Sequence, residues 1–213
     1  MAYNLLILGS STLETIFRNE DDRLYLQQLC GVPCGLNGQD EGPQGTRGML
    51  ALSIHGATLN PRDLLCKVFD RQGNSVHMEV SIASTGLRWV SDWLWNEKEA
   101  ILSRRDTLIN DSEKPRSIPQ IAMRFGLAPD RYDLWVQTSS WAHENQLQRV
   151  GFNGGRFSLA SQGGRTLQGG APYLYVAQIE TGLSLAFHLL PRGDWEISCD
   201  QSRHAGDVSR PFT

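Results

Sequence analysis

A strict alternation of apolar and polar residues after residue 75 is the feature that most constrains how this chain folds. The apolar members of the alternation are Val76, Met78, Val80 and Ile82, and the polar members are His77, Glu79 and Ser81. A period of two is typical of a strand with one buried face, because successive side chains of a strand point to opposite sides of a sheet. The pattern therefore predicts a strand over residues 76–83 whose His77 and Glu79 side chains face solvent, with a metal site shared by these two residues as the alternative.

Other segments also predict strands, and turn-forming residues join some of them into hairpins. Residues 70–74 separate one pair of such segments, and residues 180–182 separate another. The predicted strands are residues 5–8, 49–54, 63–69, 76–83, 173–179, 183–190 and 194–198.

Two segments instead follow the spacing of an amphipathic helix. Residues 13–30 place Leu13, Ile16 and Phe17 on one face, and Ser11 or Thr12 would cap the first turn. Residues 87–108 repeat apolar side chains at helical intervals, at Leu87, Val90, Leu94, Ile101 and Leu108. The sequence therefore predicts an α+β fold of antiparallel hairpins with two or three helices, including a long amphipathic helix near 87–108.

The length of 213 residues allows one large domain or two small ones. We expect a single compact domain over 1–213. The alternative is two lobes, an α+β lobe over 1–110 and a second lobe over 111–213 with a helix-turn-helix-like segment and a β-rich part. Residues 35–48 contain five glycines and predict a loop.

The charge of the chain excludes a generally basic nucleic-acid-coating protein. The net charge is −3, and the segments 1–85, 86–150 and 151–213 carry −3, 0 and 0. The 20 basic residues comprise 17 Arg and 3 Lys. This excess of arginine indicates either the codon bias of a GC-rich genome or local arginine sites for phosphate or carboxylate groups.

Three tryptophans, Trp89, Trp93 and Trp95, lie within the segment predicted as the long helix. On a helix these three positions cannot all face one side, so at least one of them should lie near the surface. An exposed tryptophan is a typical anchor of a binding interface, and Trp141 is a further candidate. Packing in the core is the alternative explanation, since large aromatic side chains are mostly buried.

Residues 117–137 contain a small residue, Ala122, followed four positions later by Gly126 and then by Leu127, with Tyr132 and Trp135 at later apolar positions. This segment resembles the helix-turn-helix signature of bacterial DNA-binding regulators. The resemblance implies that Arg124 and Arg131 face a partner or DNA. A single helix that ends with Gly126 as its C-cap is the alternative.

Glycine pairs recur in the segments 153–156, 162–165 and 168–170, between short β-like pieces. Such pairs are typical of tight hairpin turns. The functional hypothesis is that Arg156 and Arg165, beside unhindered backbone, contact phosphate or an acidic partner surface. The segment 9–12 predicts an ordinary helix N-terminus, with an anion site there as the alternative.

Groups that could carry out catalysis are sparse. The five histidines are dispersed, and neither a Gly-x-Ser-x-Gly elbow nor a His-Glu-x-x-His motif is present. The four cysteines predict buried, reduced thiols in a cytoplasmic protein without a signal peptide or membrane span, with a zinc site involving His55 or His77 as the alternative. No cofactor is predicted, and the enzyme question stays open with a preference for no enzyme.

These observations favour a non-catalytic binding or regulatory protein that docks on a protein or nucleoprotein partner. The general appearance is that of an inhibitor or regulator from a bacterial mobile element or phage. The alternatives are a DNA-binding regulator that uses residues 117–137 and a small hydrolase or nuclease. The residues predicted to contact the partner are Trp89, Trp93, Trp95, Arg124, Arg131, Trp141, Arg156 and Arg165.

Overall fold

The computed structural model describes residues 3–34, 49–59, 63–128, 131–140, 143–152, 155–161, 170–191 and 193–201. These residues are organised in β-strands and turns, and they contain no α-helix. The expected α+β class is therefore wrong. The chain divides into two compact units, Met1–Ala128 and Pro129–Thr213.

The first unit contains three antiparallel sheets. One has the order β1-β2-β3-β4, the second β10-β9-β8-β7, and the third β11-β5-β6. The strands are β1 (Tyr3–Leu8), β2 (Thr15–Glu20), β3 (Arg23–Leu29), β4 (Val32–Pro33), β5 (Leu50–Ile54), β6 (Ala57–Thr58), β7 (Leu64–Gln72), β8 (Ser75–Ile82), β9 (Leu87–Asn96), β10 (Ile101–Asn110) and β11 (Gln120–Met123).

The second unit contains a sheet of order β13-β12-β15-β16 and a two-stranded sheet of β14 and β17. Leu134, Val136, Leu174 and Val176 form the buried positions of β12 and β15, which pair directly. The strands are β12 (Tyr132–Ser140), β13 (His143–Phe152), β14 (Gly155–Ser161), β15 (Tyr173–Gln178), β16 (Ser184–His188) and β17 (Trp195–Gln201).

Both predicted helices are hairpins in the structure. Over 13–30 the chain turns at Asp21 and Asp22, which have positive φ values of 50° and 62°, so that β2 pairs with β3. Two consecutive positive φ values are characteristic of the type I′ turn that matches the twist of paired strands. Over 87–108 the chain turns through residues 97–100 so that β9 pairs with β10.

The strands predicted from alternation are confirmed in outline. The strand over 76–83 corresponds to β8, whose burial alternates along its length, and β7 pairs with it antiparallel. The hairpin over 173–190 corresponds to β15 and β16, and the final short strand corresponds to β17. The segment 9–12 precedes a strand, so the helix N-terminus expected there is absent. The loop predicted over 35–48 lies outside the described residues.

The core of the first unit is built around Trp93. Its ring makes an edge contact with Phe17 of β2, with centroids 4.9 Å apart, and with Phe125 after β11, at 6.2 Å. Phe17 has no exposed surface, and Met78 of β8 has none either. These contacts bury one face of the β7–β10 sheet, here called the inner face. The opposite side of that sheet is called the outer face.

Candidate functional site

The outer face of the β7–β10 sheet carries a continuous row of charged side chains. His77 of β8 lies opposite Asp92 of β9 in the strand register, and its Nδ1 is 2.6 Å from Asp92 Oδ1. Its other ring nitrogen, Nε2, is 3.3 Å from Glu79 Oε1. Arg88 continues the row, because its Nη1 donates to Glu79 Oε2 at 3.0 Å and its Nε donates to Asp111 Oδ2 at 3.0 Å. We call these five residues the outer-face network.

The electrostatics of the outer-face network favour a protonated imidazole. The hydrogen bond to Asp92 raises the pKa of His77, and this effect exceeds the lowering caused by desolvation. The hydrogen bond from His77 in turn lowers the pKa of Glu79, with Arg88 acting in the same direction. When His77 is protonated, both of its N–H groups donate to carboxylates, so the network alternates negative and positive groups along its length.

This arrangement does not support a metal site that uses His77 and Glu79 together. Each imidazole nitrogen lies within hydrogen-bonding distance of a different carboxylate, so a metal ion bound to the ring would have to replace one of these two hydrogen bonds. Within the residues that the structure describes, no group of three or more His, Cys, Asp or Glu side chains is arranged to hold a metal ion.

A second charged group, Arg104 of β10, lies on the inner face and is buried. Its side chain and that of Asp106 are each 4% exposed, and they form a bidentate ion pair at 3.0 and 2.7 Å. The guanidinium stacks 4.9 Å from the ring centroid of Trp93 and 5.1 Å from that of Phe125. It also donates to the main-chain oxygens of Met49 and Arg124.

The contacts of Arg104 join β10 and β9 to the residues that flank β5 and β11 of a second sheet. Asp106 accepts a further hydrogen bond from the Ser91 hydroxyl of β9 at 2.7 Å. Desolvation lowers the pKa of Arg104, although the nearby Asp106 carboxylate opposes this effect. The guanidinium donates its hydrogen bonds to a carboxylate and two carbonyl oxygens of the core. We therefore assign Arg104 a structural role and not a ligand-binding one.

The three tryptophans of the predicted helix all lie in the core. Trp89 is 1% exposed, Trp93 is 1% exposed and Trp95 is 4% exposed, so the expectation that at least one lies near the surface is wrong. In a strand, side chains two residues apart point to the same side. Positions 89, 93 and 95 differ by even numbers, so these tryptophans share one face. These three side chains pack β9 against the core of the first unit. Trp141 lies outside the described residues.

The predicted arginines lie in separate places. Arg124 is half-buried beside β11, and its main-chain oxygen accepts from Arg104. Arg131 is exposed in the second unit, and its main-chain oxygen accepts from the amide of Ile179. Arg156 pairs with two carboxylates of β17, those of Glu196 at 2.8 Å and Asp200 at 3.9 Å. Arg165 lies outside the described residues.

The helix-turn-helix interpretation of residues 117–137 is also wrong. The part predicted as the first helix contains β11, and the part predicted as the second helix contains the start of β12. Leu134 and Val136 are each 1% exposed, so this segment is a buried strand and has no helix to enter a DNA groove. Branched and aromatic residues over 134–138 carried the correct signal, because they favour strands.

Sequence reasoning missed Arg88, Asp92, Arg104 and Asp106. Each of them was assigned to the long helix or left without a role. The available signal was the alternation along 87–96, which puts Arg88 and Asp92 on the same side as the polar residues of β8 once the two strands are paired. Arg104 and Asp106 break the apolar pattern of the inner face, and charged residues at such positions are typically paired.

The cysteines are thiols with weak acidity. Burial raises the pKa of Cys34 to about 12, and burial also raises the pKa values of Cys66 and Cys199 to about 11. All four cysteines are free. In the part of the chain that the structure describes, no helix is long and apolar enough to cross a membrane.

Comparison with solved structures identifies the same architecture in larger enzymes. The family 36 α-galactosidases AgaA and AgaB from Geobacillus stearothermophilus each match with a TM-score of 0.70 and 12% identity, covering 93% and 94% of this chain. The α-galactosidase from Lactobacillus brevis matches over 92% of this chain with a TM-score of 0.68 and 13% identity. The chain spans only about a third of the length of these enzymes, between 34% and 36%. No curated protein matches the sequence.

A family model gives the assignment. The glycosyl hydrolase family 36 N-terminal domain matches residues 63–208, which is more than half of the chain. This match overturns the hypothesis of an inhibitor or regulator from a mobile element or phage, and it disagrees with the DNA-binding alternative. The chain belongs to the glycosyl hydrolase family 36 N-terminal domain family.

Proposed function

We propose that this chain is the non-catalytic β-domain of a family 36 glycoside hydrolase that acts on α-galactosides. The observation that carries the proposal is the family match over residues 63–208 together with a fold match that spans about a third of each α-galactosidase. In this proposal the catalytic carboxylates belong to another part of the enzyme, and this chain docks against that part as its partner.

The pKa shifts of the described carboxylates agree with a non-catalytic role for this chain. Glycoside hydrolysis generally needs two carboxyl groups, one of which acts as a general acid with a raised pKa. Among the described residues, the two carboxyl groups whose pKa values shift are Glu79 and Glu196, and both pKa values are lowered because cationic partners donate hydrogen bonds to them. Such groups stay ionised near neutral pH and are unsuited to donate a proton to a leaving sugar.

Hydrolysis of 4-nitrophenyl α-galactoside tests the proposal, with 4-nitrophenyl β-galactoside as the matched control. The purified chain alone should release no nitrophenol above the background rate. The native protein that carries this sequence, recovered from its host with an antibody to the chain, should cleave the α-galactoside and not the β-galactoside. Hydrolysis by the chain alone would contradict the non-catalytic assignment. A native protein that cleaves neither compound would contradict the α-galactosidase assignment. A cytoplasmic location stays a prediction that fractionation of the host would check.

A further inference from the structure

Among the described residues, the strand β10 is an edge strand of the β7–β10 sheet. In the described residues its hydrogen-bonded neighbour is β9, and the two pair over ten residues without a bulge. The other edge strand, β7, is interrupted by a bulge between Cys66 and Val68, with Lys67 at that point. Bulges and lysines are common devices that prevent an edge strand from pairing with another chain. The strand β10 has no bulge and no lysine, and its two inward-pointing charges, Arg104 and Asp106, are paired with each other. Its outward-pointing charge is Arg105, which opposes pairing at that one position.

The direction of the main-chain groups of β10 follows from the register. The amide of Asp111 donates to the oxygen of Gly86, which continues the β9–β10 ladder by one position. Because hydrogen-bonded pairs alternate along an antiparallel ladder, the odd-numbered residues of β10 bond to β9. The even-numbered residues therefore direct their N–H and C=O groups away from β9. These residues are Leu102, Arg104, Asp106, Leu108 and Asn110.

The exposure of β10 agrees with this direction. Arg104 and Asp106 are half-buried as whole residues, although their side chains are only 4% exposed. The solvent-accessible part of these two residues is therefore largely main chain. An edge strand with accessible main-chain donors and acceptors is a template for a further strand.

The sequence of β10 is self-complementary about Arg105. Reading outward from Arg105, the side chains on its two sides are either of the same chemical type or of opposite charge. The matched pairs are Arg104 with Asp106, Ser103 with Thr107, Leu102 with Leu108, and Ile101 with Ile109. Two antiparallel copies of β10 that cross at Arg105 would place each of these residues directly opposite its match.

We propose that β10 pairs with β10 of a second copy of this chain, antiparallel and centred on Arg105, so that the two β7–β10 sheets join into one eight-stranded sheet. The proposal is independent of the proposed function. In this register Leu102 lies opposite Leu108 of the other copy and Arg104 lies opposite Asp106, and these even-numbered pairs exchange roughly eight main-chain hydrogen bonds.

The side chains of both faces fit this pairing. On the inner face each Arg104–Asp106 ion pair lies beside the same pair of the other copy, with groups of opposite charge facing each other. On the outer face the pairing covers Ile101, which is 53% exposed in the single chain, with Ile109 of the other copy. The two Arg105 side chains lie opposite each other at the centre. Each also lies opposite Asp92 of its own β9, which offsets part of their repulsion.

Disulfide cross-linking tests the register. Opposed residues at the central non-hydrogen-bonded pair have Cα atoms about 4.5 Å apart, within the range that a disulfide spans. The variant Arg105→Cys, incubated with oxidised glutathione, should therefore form a covalent dimer about tenfold faster than the unmodified chain. The matched control Ser103→Cys should not cross-link to itself, because the two copies of residue 103 lie about 13 Å apart along the strands. A mixture of Ser103→Cys and Thr107→Cys should cross-link, because those positions face each other.

Sedimentation of the unmodified chain gives an independent test. We expect a concentration-dependent dimer, and Arg105→Thr should tighten its dissociation constant about two- to fivefold because the like-charged central pair is removed. Circular dichroism of every variant verifies folding. A chain that stays monomeric at about 100 μM, near the upper range of weak association, would overturn the proposal. So would cross-linking of Arg105→Cys no faster than that of Ser103→Cys.

Discussion

Replacement of Arg104 by alanine should destabilise the first unit strongly. The variant leaves the Asp106 carboxylate buried, with the Ser91 hydroxyl still donating to it, and it removes the donors to the Met49 and Arg124 oxygens. Removing one partner of a buried ion pair costs about 3–5 kcal/mol, and the lost stacking on aromatic rings contributes about 2 kcal/mol. These contributions share atoms and do not add fully, so we expect a decrease in the free energy of unfolding of about 4 kcal/mol.

Urea denaturation followed by tryptophan fluorescence measures this change. With a slope of about 2 kcal/mol per molar urea, the midpoint should fall by about 2 M. The control is Arg105→Ala, which removes the same charge from the next residue but on the outer face. Because Arg105 is exposed, its replacement should change the free energy by less than about 0.5 kcal/mol at protein concentrations where the midpoint is constant.

The double variant Arg104→Met with Asp106→Leu separates charge burial from packing. Replacing both partners of a buried ion pair with apolar residues is often neutral or stabilising, so the double variant should recover most of the stability that Arg104→Ala loses. If Arg104→Ala destabilises no more than Arg105→Ala, the reasoning about a buried pair is refuted. If the double variant is as unstable as the single one, the loss comes from packing and not from the unpaired carboxylate.

Three further predictions concern His77, Cys34 and Gly9. The folded-state pKa of His77 is raised, so its contribution to stability is complete below pH 6.5 and is lost as pH rises through the folded pKa. NMR titration should show a His77 pKa above the ordinary value, and Asp92→Asn should lower that pKa. The thiol of Cys34, with a pKa of about 12, should react with iodoacetamide at pH 8 at least about 100-fold more slowly than a free thiol, as measured by mass spectrometry; rapid native labelling would contradict its burial. Gly9→Ala should cost about 2–4 kcal/mol, because the φ of Gly9 is 108° and a Cβ would lie 2.3 Å from a main-chain oxygen. The control Gly73→Ala, at a φ of 58° with nothing within 4 Å of a Cβ, should cost about 1 kcal/mol. Thermal unfolding of both variants measures the two losses, and equal losses would refute the clash.

Short alternating segments of the sequence were sufficient to predict several strands. The strand β8 alternates strictly, and its turn residues are polar, so its pairing with β7 followed from local information. The hairpin of β15 and β16 was predicted in the same way. In both cases the buried face and the turn are encoded within about 20 residues, a span over which side-chain period and turn chemistry act together.

The long segment over 87–108 shows where this reasoning failed. Apolar residues at Leu87, Val90, Leu94, Ile101 and Leu108 fit a helical spacing. The same segment also fits two strands, in which Trp89, Trp93 and Trp95 share a face and Leu94 is 54% exposed on the other. A turn through residues 97–100, with Ala100 at a positive φ of 51°, divides the segment, and no glycine or proline marks that turn. The choice between the two periods was made by the neighbouring strand β8 and by Phe17, which bury the tryptophan face.

The candidate site depended even more on tertiary structure. His77 and Glu79 were predicted to face solvent because they alternate with apolar residues, and the structure places them on the outer face. Their partners Asp92 and Arg88 come from β9, and only the register between the two strands brings them within hydrogen-bonding distance. The sequence by itself determined which residues of β8 are polar and on one side. The tertiary structure decided which charges meet, because pairing across strands depends on a register that no local pattern specifies.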